Sequence, residues 1–129
     1  LPAPRPVPVH GDMHLDQCLL AEDRVLLADL DELAAGDAEQ DLAALCVDFR
    51  LRAASPAAGD AWTEVVTSAR RQAAVAAAHP RLLSWHLARH AIDKAYRCAW
   101  RELPASDAPV ARLVGWAREA AAAPHAVAA

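Results

Sequence analysis

The stretch His10-Gly11-Asp12-Met13-His14-Leu15-Asp16-Gln17 decides how the rest of the chain is read. Gly11 opens a tight loop, Asp12 stands in it, and Gln17 places an amide side chain five residues further on. Two short apolar runs follow, Cys18-Leu19-Leu20 and Val25-Leu26-Leu27, separated by Ala21-Glu22-Asp23-Arg24. Apolar runs flanking a short polar segment predict a β-hairpin with a four-residue turn. The hairpin brings Asp29, and the acidic cluster Asp29-Leu30-Asp31, back beside the loop that precedes it. On the N-terminal side, Pro2, Pro4, Pro6 and Pro8 require an extended lead-in over residues 1–9, with Val7 to Val9 able to enter a strand.

C-terminal to the hairpin the pattern turns helical. Asp37 is placed to cap a helix, with Gln40 reaching back as a capping box and Leu42, Leu45, Cys46 and Phe49 giving the apolar stripe. Pro56 and Gly59 mark residues 53–59 as a linker, and Asp60 caps a second helix that runs to about His79 and is closed by Pro80. A third helix spans Arg81 to about Leu103; its Leu83, Trp85, Leu87, Ile92, Tyr96 and Trp100 make it apolar on most sides, which predicts burial. Ser106 or Asp107 caps a fourth, with Pro109 in its first turn and an end near Ala123. The expected fold is α+β, mostly α, in one domain divided into a lead-in (1–9), a loop, hairpin and acidic turn (10–36), and a helical part (37–123).

Composition agrees. The 129 residues are enough for one core, and 55% apolar with 23% charged residues is ordinary for a soluble globular protein. Abundant alanine with only 4 glycines favours helix. No apolar run reaches the roughly 18 residues of a membrane span, and no signal-peptide pattern opens the chain. Cys18, Cys46 and Cys98 have no paired spacing and read as reduced thiols of a cytoplasmic protein. The net charge of −4 conceals an asymmetry: residues 10–50 carry eleven Asp/Glu against Arg24 and Arg50, whereas residues 51–129 carry ten Arg/Lys against six Asp/Glu. An acidic front half suits a cation, and a basic back half suits either solvated helix faces or an anionic ligand. Nucleic acid is not indicated, because the basic residues form no short stripe.

Carboxylates beside an amide are the group set of phosphoryl transfer: one carboxylate orients the attacking hydroxyl, while the amide and a second carboxylate hold Mg²⁺ on the phosphates. The three motifs His10-Gly11-Asp12 with Gln17, then Asp29, then Gly36-Asp37-Ala38-Glu39-Gln40-Asp41-Leu42-Ala43 together resemble the aminoglycoside phosphotransferase family. That family has a protein-kinase-like fold, with a catalytic loop H-G-D-x-x-x-x-N, a metal-binding Asp after a hairpin, and a G-D-P-x-x-D-L-A stretch opening the next helix. The resemblance covers residues 10–43 and implies that this chain is the C-lobe of such an enzyme. It implies Asp12 as catalytic base, Gln17 and Asp29 as Mg²⁺ ligands with Asp31 as a further acidic candidate, and Asp41, His10 and His14 as supports of the catalytic loop. ATP and Mg²⁺ are the implied donor and cofactor.

Two positions depart from the family pattern. Gln17 replaces the usual Asn, one methylene longer, as in relatives that phosphorylate sugars, and Ala38 replaces the usual Pro. The net basic segment 60–102 points to a neutral or anionic small-molecule acceptor. Gly11, Gly36, Gly59 and Gly115 are isolated and Lys94, the one lysine, is late in the chain, so no phosphate-cradling loop can be built from these residues. The expectation is therefore that a nucleotide-binding N-lobe is supplied in cis from outside these residues, and that the fragment alone turns over little. Two other readings remain: a non-catalytic kinase-like binding module, and a zinc-dependent hydrolase using His10, Asp12 and His14 with Asp16. Zinc ligation by His10 and His14 at i,i+4 requires a helix, which Gly11 opposes. His86 and His90 share that spacing on an expected helix and read as its polar stripe, with Lys94 one turn on.

Overall fold

The computed structural model describes residues 6–52, 80–100 and 108–122, together with Glu64 and Ser68, both helical. The fold is α+β and mostly helical. In chain order the elements are β1 (Val7–Val9), a single 3-10 turn (Leu15–Gln17), β2 (Cys18–Leu20), β3 (Val25–Leu27), β4 (Ala34–Gly36), α1 (Ala38–Arg52), α2 (Pro80–Trp100) and α3 (Ala108–Ala122). The linker at 53–59, most of the expected helix from Asp60 to His79, and the segments 101–107 and 123–129 lie outside the described residues.

Two antiparallel pairs make up the β structure. β2 and β3 form the expected hairpin, with Cys18 opposite Leu27 and Leu20 opposite Val25. β1 pairs with β4, Val7 opposite Gly36 and Val9 opposite Ala34. β4 has no counterpart in the sequence reading, because Ala34-Ala35-Gly36 lacks the branched and aromatic residues that mark a strand. Its extended form comes from its partner: at Gly36 an added Cβ would stand 2.9 Å from a Val9 methyl, so only glycine lets the two strands approach this closely.

α2 packs against both α1 and α3, and the core lies along it. Val47, Ala91, Ala95, Leu113 and Ala117 are buried together, with Leu51, Leu87, Val110 and Trp116 packed round them. Arg50 stacks its guanidinium 4.3 Å from the Trp116 ring centre and pairs with Glu119 at 3.3 Å, joining α1 to α3 over the core.

The expectation that α2 is buried on most sides is corrected. Ala91 and Ala95, one turn apart, form the packed stripe and bring the neighbouring helices close. The bulky Trp85, Ile92, Tyr96 and Trp100 are thereby left on the other faces, all at least half exposed, with Trp100 at 75%. Leu83, Leu87 and the two alanines take the packed face, and the aromatic residues do not. Pro80 is the first described residue of α2, a position where a missing N–H costs nothing, and the end of the helix expected before it lies outside the described residues. Pro109 stands in the first turn of α3 as expected.

Leu113 is fully buried between α2 and α3. Leu113→Ala is expected to lower the unfolding free energy by about 2–5 kcal/mol, measured by urea denaturation.

Candidate active site

The loop His10–Gln17 is bolted to α1 by carboxylates. The His10 N–H donates to Asp41 Oδ2 at 2.5 Å and the Gly11 N–H to Asp41 Oδ1 at 3.0 Å, so one side chain in the first turn of α1 satisfies two consecutive loop amides. Seven residues along the same helix, two turns and so the same face, Asp48 Oδ2 accepts the Leu15 N–H at 3.0 Å. His10 is buried and its ring Nε2–H donates to the Ala28 carbonyl at 2.8 Å, tying the loop to the segment that follows β3. Gly11 adopts φ 89°, and an added Cβ would meet the Glu32 carbonyl at 2.5 Å. No other residue fits there without moving the backbone.

Asp48 was not singled out in the sequence, although its spacing from Asp41 is the available signal. It is buried, and besides the Leu15 amide it receives Lys94 Nζ at 2.9 Å and Arg52 Nε at 3.0 Å. Burial pushes its carboxyl up, but the Leu15 N–H, Lys94 and Arg52 outweigh that and hold it below the usual range. Arg52 also grips both carboxylate oxygens of Asp16, one at 2.8 Å. That bidentate bond lowers the Asp16 pKa and raises that of Arg52. The polar stripe expected from His86, His90 and Lys94 faces these same elements: His86 Nε2–H donates to Asp37 Oδ2 at 3.3 Å, and His90 is pushed down to about 4 by burial and by the Arg89 charge.

The structure brings Gln17 and Asp29 together across the hairpin. Gln17 Nε2 donates to Asp29 Oδ2 at 3.1 Å and to His14 Nε2 at 3.2 Å. The hairpin holds this register, since the Gln17 carbonyl accepts the Ala28 N–H at 2.9 Å. Asp29 adopts φ 57°, a left-handed conformation that Asp tolerates through its short polar side chain and that turns the chain out of β3. His14 lies between two carboxylates, 3.9 Å from Asp12 and 3.7 Å from Asp16. The Asp12 side chain is 51% exposed. Asp31 is exposed in the turn beyond Asp29. Among the described residues no group of three His, Cys, Asp or Glu side chains converges as a metal-ligand set.

Asp12 and His14 open onto a cleft of about 910 Å³ between the loop and the helices. Val47 and Leu51 of α1 line it, as do Arg89 and Tyr96 of α2. No described helix is long and apolar enough to cross a membrane, and all three cysteines are free thiols.

Removing the Asp41 clamp leaves two loop amides unpaired. Asp41→Ala is expected to cost about 2–4 kcal/mol in urea denaturation and to speed hydrogen exchange at His10 and Gly11. For His90 the folded pKa is about 4 against 6.5 for the free side chain, so the unfolded chain binds more protons between these values. Stability is then complete above pH 6.5 and declines as the pH falls towards 4. Allowing for solvent screening, wild type should lose about 1 kcal/mol more than His90→Gln between pH 7 and pH 5.

Comparison of the chain with protein-family models, with curated proteins and with solved structures returns no match.

Proposed function

We propose that these residues form the catalytic C-lobe of an ATP- and Mg²⁺-dependent phosphotransferase, of the aminoglycoside phosphotransferase kind, acting on a hydroxyl of a small molecule. The observation that carries the reading is the meeting of Gln17 and Asp29 at 3.1 Å beside a loop whose Asp12 opens on the cleft. Residues twelve apart in the chain supply an amide and a carboxylate at one point, which are hard oxygen donors suited to Mg²⁺. A half turn of the amide exchanges its nitrogen for its oxygen at the same place. When bound there, Mg²⁺ neutralises charge on the donor phosphates.

The remaining chemistry belongs to the chain's own groups. The acceptor hydroxyl lies in the cleft and hydrogen-bonds to the Asp12 carboxylate, which takes its proton as the oxygen–phosphorus bond forms and the bond to the departing ADP oxygen breaks. Asp41 and Asp48 fix Asp12 by holding the backbone on both sides of it. His14 lies between Asp12 and Asp16 with its Nε2 taken by the Gln17 amide, and so ties these side chains of the loop together. A separate lobe in cis is needed to cradle the nucleotide, because the 4 glycines here are isolated. The free thiols support a reducing, cytoplasmic setting.

A non-catalytic kinase-like module is the second reading, favoured by the exposed strip of Trp85, Tyr96 and Trp100 on α2. It predicts no binding of Mg²⁺-nucleotide by calorimetry. Zinc hydrolysis loses support, since no three-ligand set forms among the described residues. The deciding experiment is transfer of label from radiolabelled ATP by the full-length polypeptide that carries these residues. Asp12→Asn is expected to lower the rate by about 10²–10⁴-fold; equal labelling by both proteins would remove Asp12 from the chemistry.

A further inference from the structure

The cleft wall carries four carboxylates, Asp12, Asp16, Asp48 and Asp93, and four cations, Arg52, Arg89, Lys94 and Arg97. Three of the cations are already matched. Arg52 is held by Asp16 and Asp48, Lys94 by Asp48 at 2.9 Å, and Arg97 by Asp93 at 3.0 Å. Among the described residues Arg89 has no carboxylate; its guanidinium stands 5.9 Å from the centre of the Trp85 ring. Asp12 likewise has only His14, at 3.9 Å. Pairing within the wall therefore leaves one cation on α2 and one carboxylate on the loop.

We propose that the cleft takes an acceptor bearing one anionic group, a carboxylate or a phosphate, that Arg89 binds while the acceptor's hydroxyl meets Asp12. The role of Asp12 in this rests on the phosphotransferase reading; the anion subsite rests on the cleft alone. A guanidinium braced on an aromatic face keeps its N–H fork free for two parallel bonds to an oxyanion. The neighbouring Ile92 and Tyr96 side chains, both half or more exposed, give the acceptor's carbon skeleton an apolar surface. A cationic amine would meet Arg89 as a like charge, so antibiotic-type polyamines are disfavoured. Specificity for the anion then arises on α2, away from the loop that carries the base.

The test is a titration of the full-length polypeptide with inorganic phosphate, and separately with acetate, at fixed ionic strength. Arginine Nε–H resonances are followed by NMR, with Arg89→Met to assign the signal. The Arg89 resonance is expected to move saturably, while that of the exposed Arg118 on α3 moves far less. A response to acetate alone identifies a carboxylate acceptor, and a response to phosphate alone identifies a phosphate ester. If neither anion moves Arg89 more than Arg118, the proposal is overturned. Asp12→Asn keeps the two ideas apart: it should abolish transfer yet leave the Arg89 response intact or stronger. An intact response with undiminished transfer would remove Asp12 from the chemistry and keep the anion site. Lost transfer with an unresponsive Arg89 would do the reverse.

Discussion

One side of α1 holds the candidate site in place through two buried or half-buried carboxylates. Asp41 accepts two consecutive amides and Asp48 accepts a third, so the loop between β1 and β2 is tied at both ends to the same helical face. Backbone amides in a loop would otherwise need water, and His10 and Asp48 are buried out of its reach. The other features follow from that restraint. Gly11 must turn through positive φ to present both N–H groups, and His10 must be buried to reach the Ala28 carbonyl. Asp12 is left at the loop's open side, where His14, at 3.9 Å, is the one described side chain paired with its carboxylate.

The second organising constraint is steric. Alanines at 91 and 95 let α2 sit close to α1 and α3, and Leu113 fills the space between them. Close packing on that stripe displaces Trp85, Trp100 and Tyr96 to the outside. It also carries Lys94 to Asp48, a 2.9 Å bond that links the helical core to the loop anchor. A residue chosen for packing on one face of α2 thus decides which polar groups line the cleft on the next. The exposed leucines and Val25 of the β2–β3 hairpin are a separate matter, since nothing among the described residues covers them.

Electrostatics in the cleft are nearly closed on themselves. Asp16, Arg52, Asp48 and Lys94 form a chain of paired charges, and this pairing keeps the Asp48 carboxyl ionised despite its burial. Buried charge of this kind is tolerated only when each partner is hydrogen-bonded, which holds for Asp48 with its three donors. The contrast is His90, which lacks such compensation at Nε2 and is therefore kept neutral.

Local signals in the chain were sufficient for the hairpin, for α1 and for most of α2 and α3, whereas the grouping of His10, Gly11, Asp12, Gln17, Asp29 and Asp41 came from the family resemblance. Alternating short apolar runs, Pro and Gly placement and helical spacing are properties of neighbouring residues, so they can be read in one dimension. Strand β4, the exposure of the α2 aromatics and the role of Asp48 could not be read that way. Ala34-Ala35-Gly36 is a strand only because Val9 lies against it, and Asp48 matters only because Leu15, Lys94 and Arg52 converge on it from three elements. The sequence by itself determined which groups are available for chemistry and the local turns that present them. The tertiary structure decided which of those groups are already paired, because pairing between α1, α2 and the loop depends on how closely small residues let the helices approach. That selection is what leaves Asp12 and Arg89 facing the cleft without a charge partner of their own among the described side chains, His14 apart.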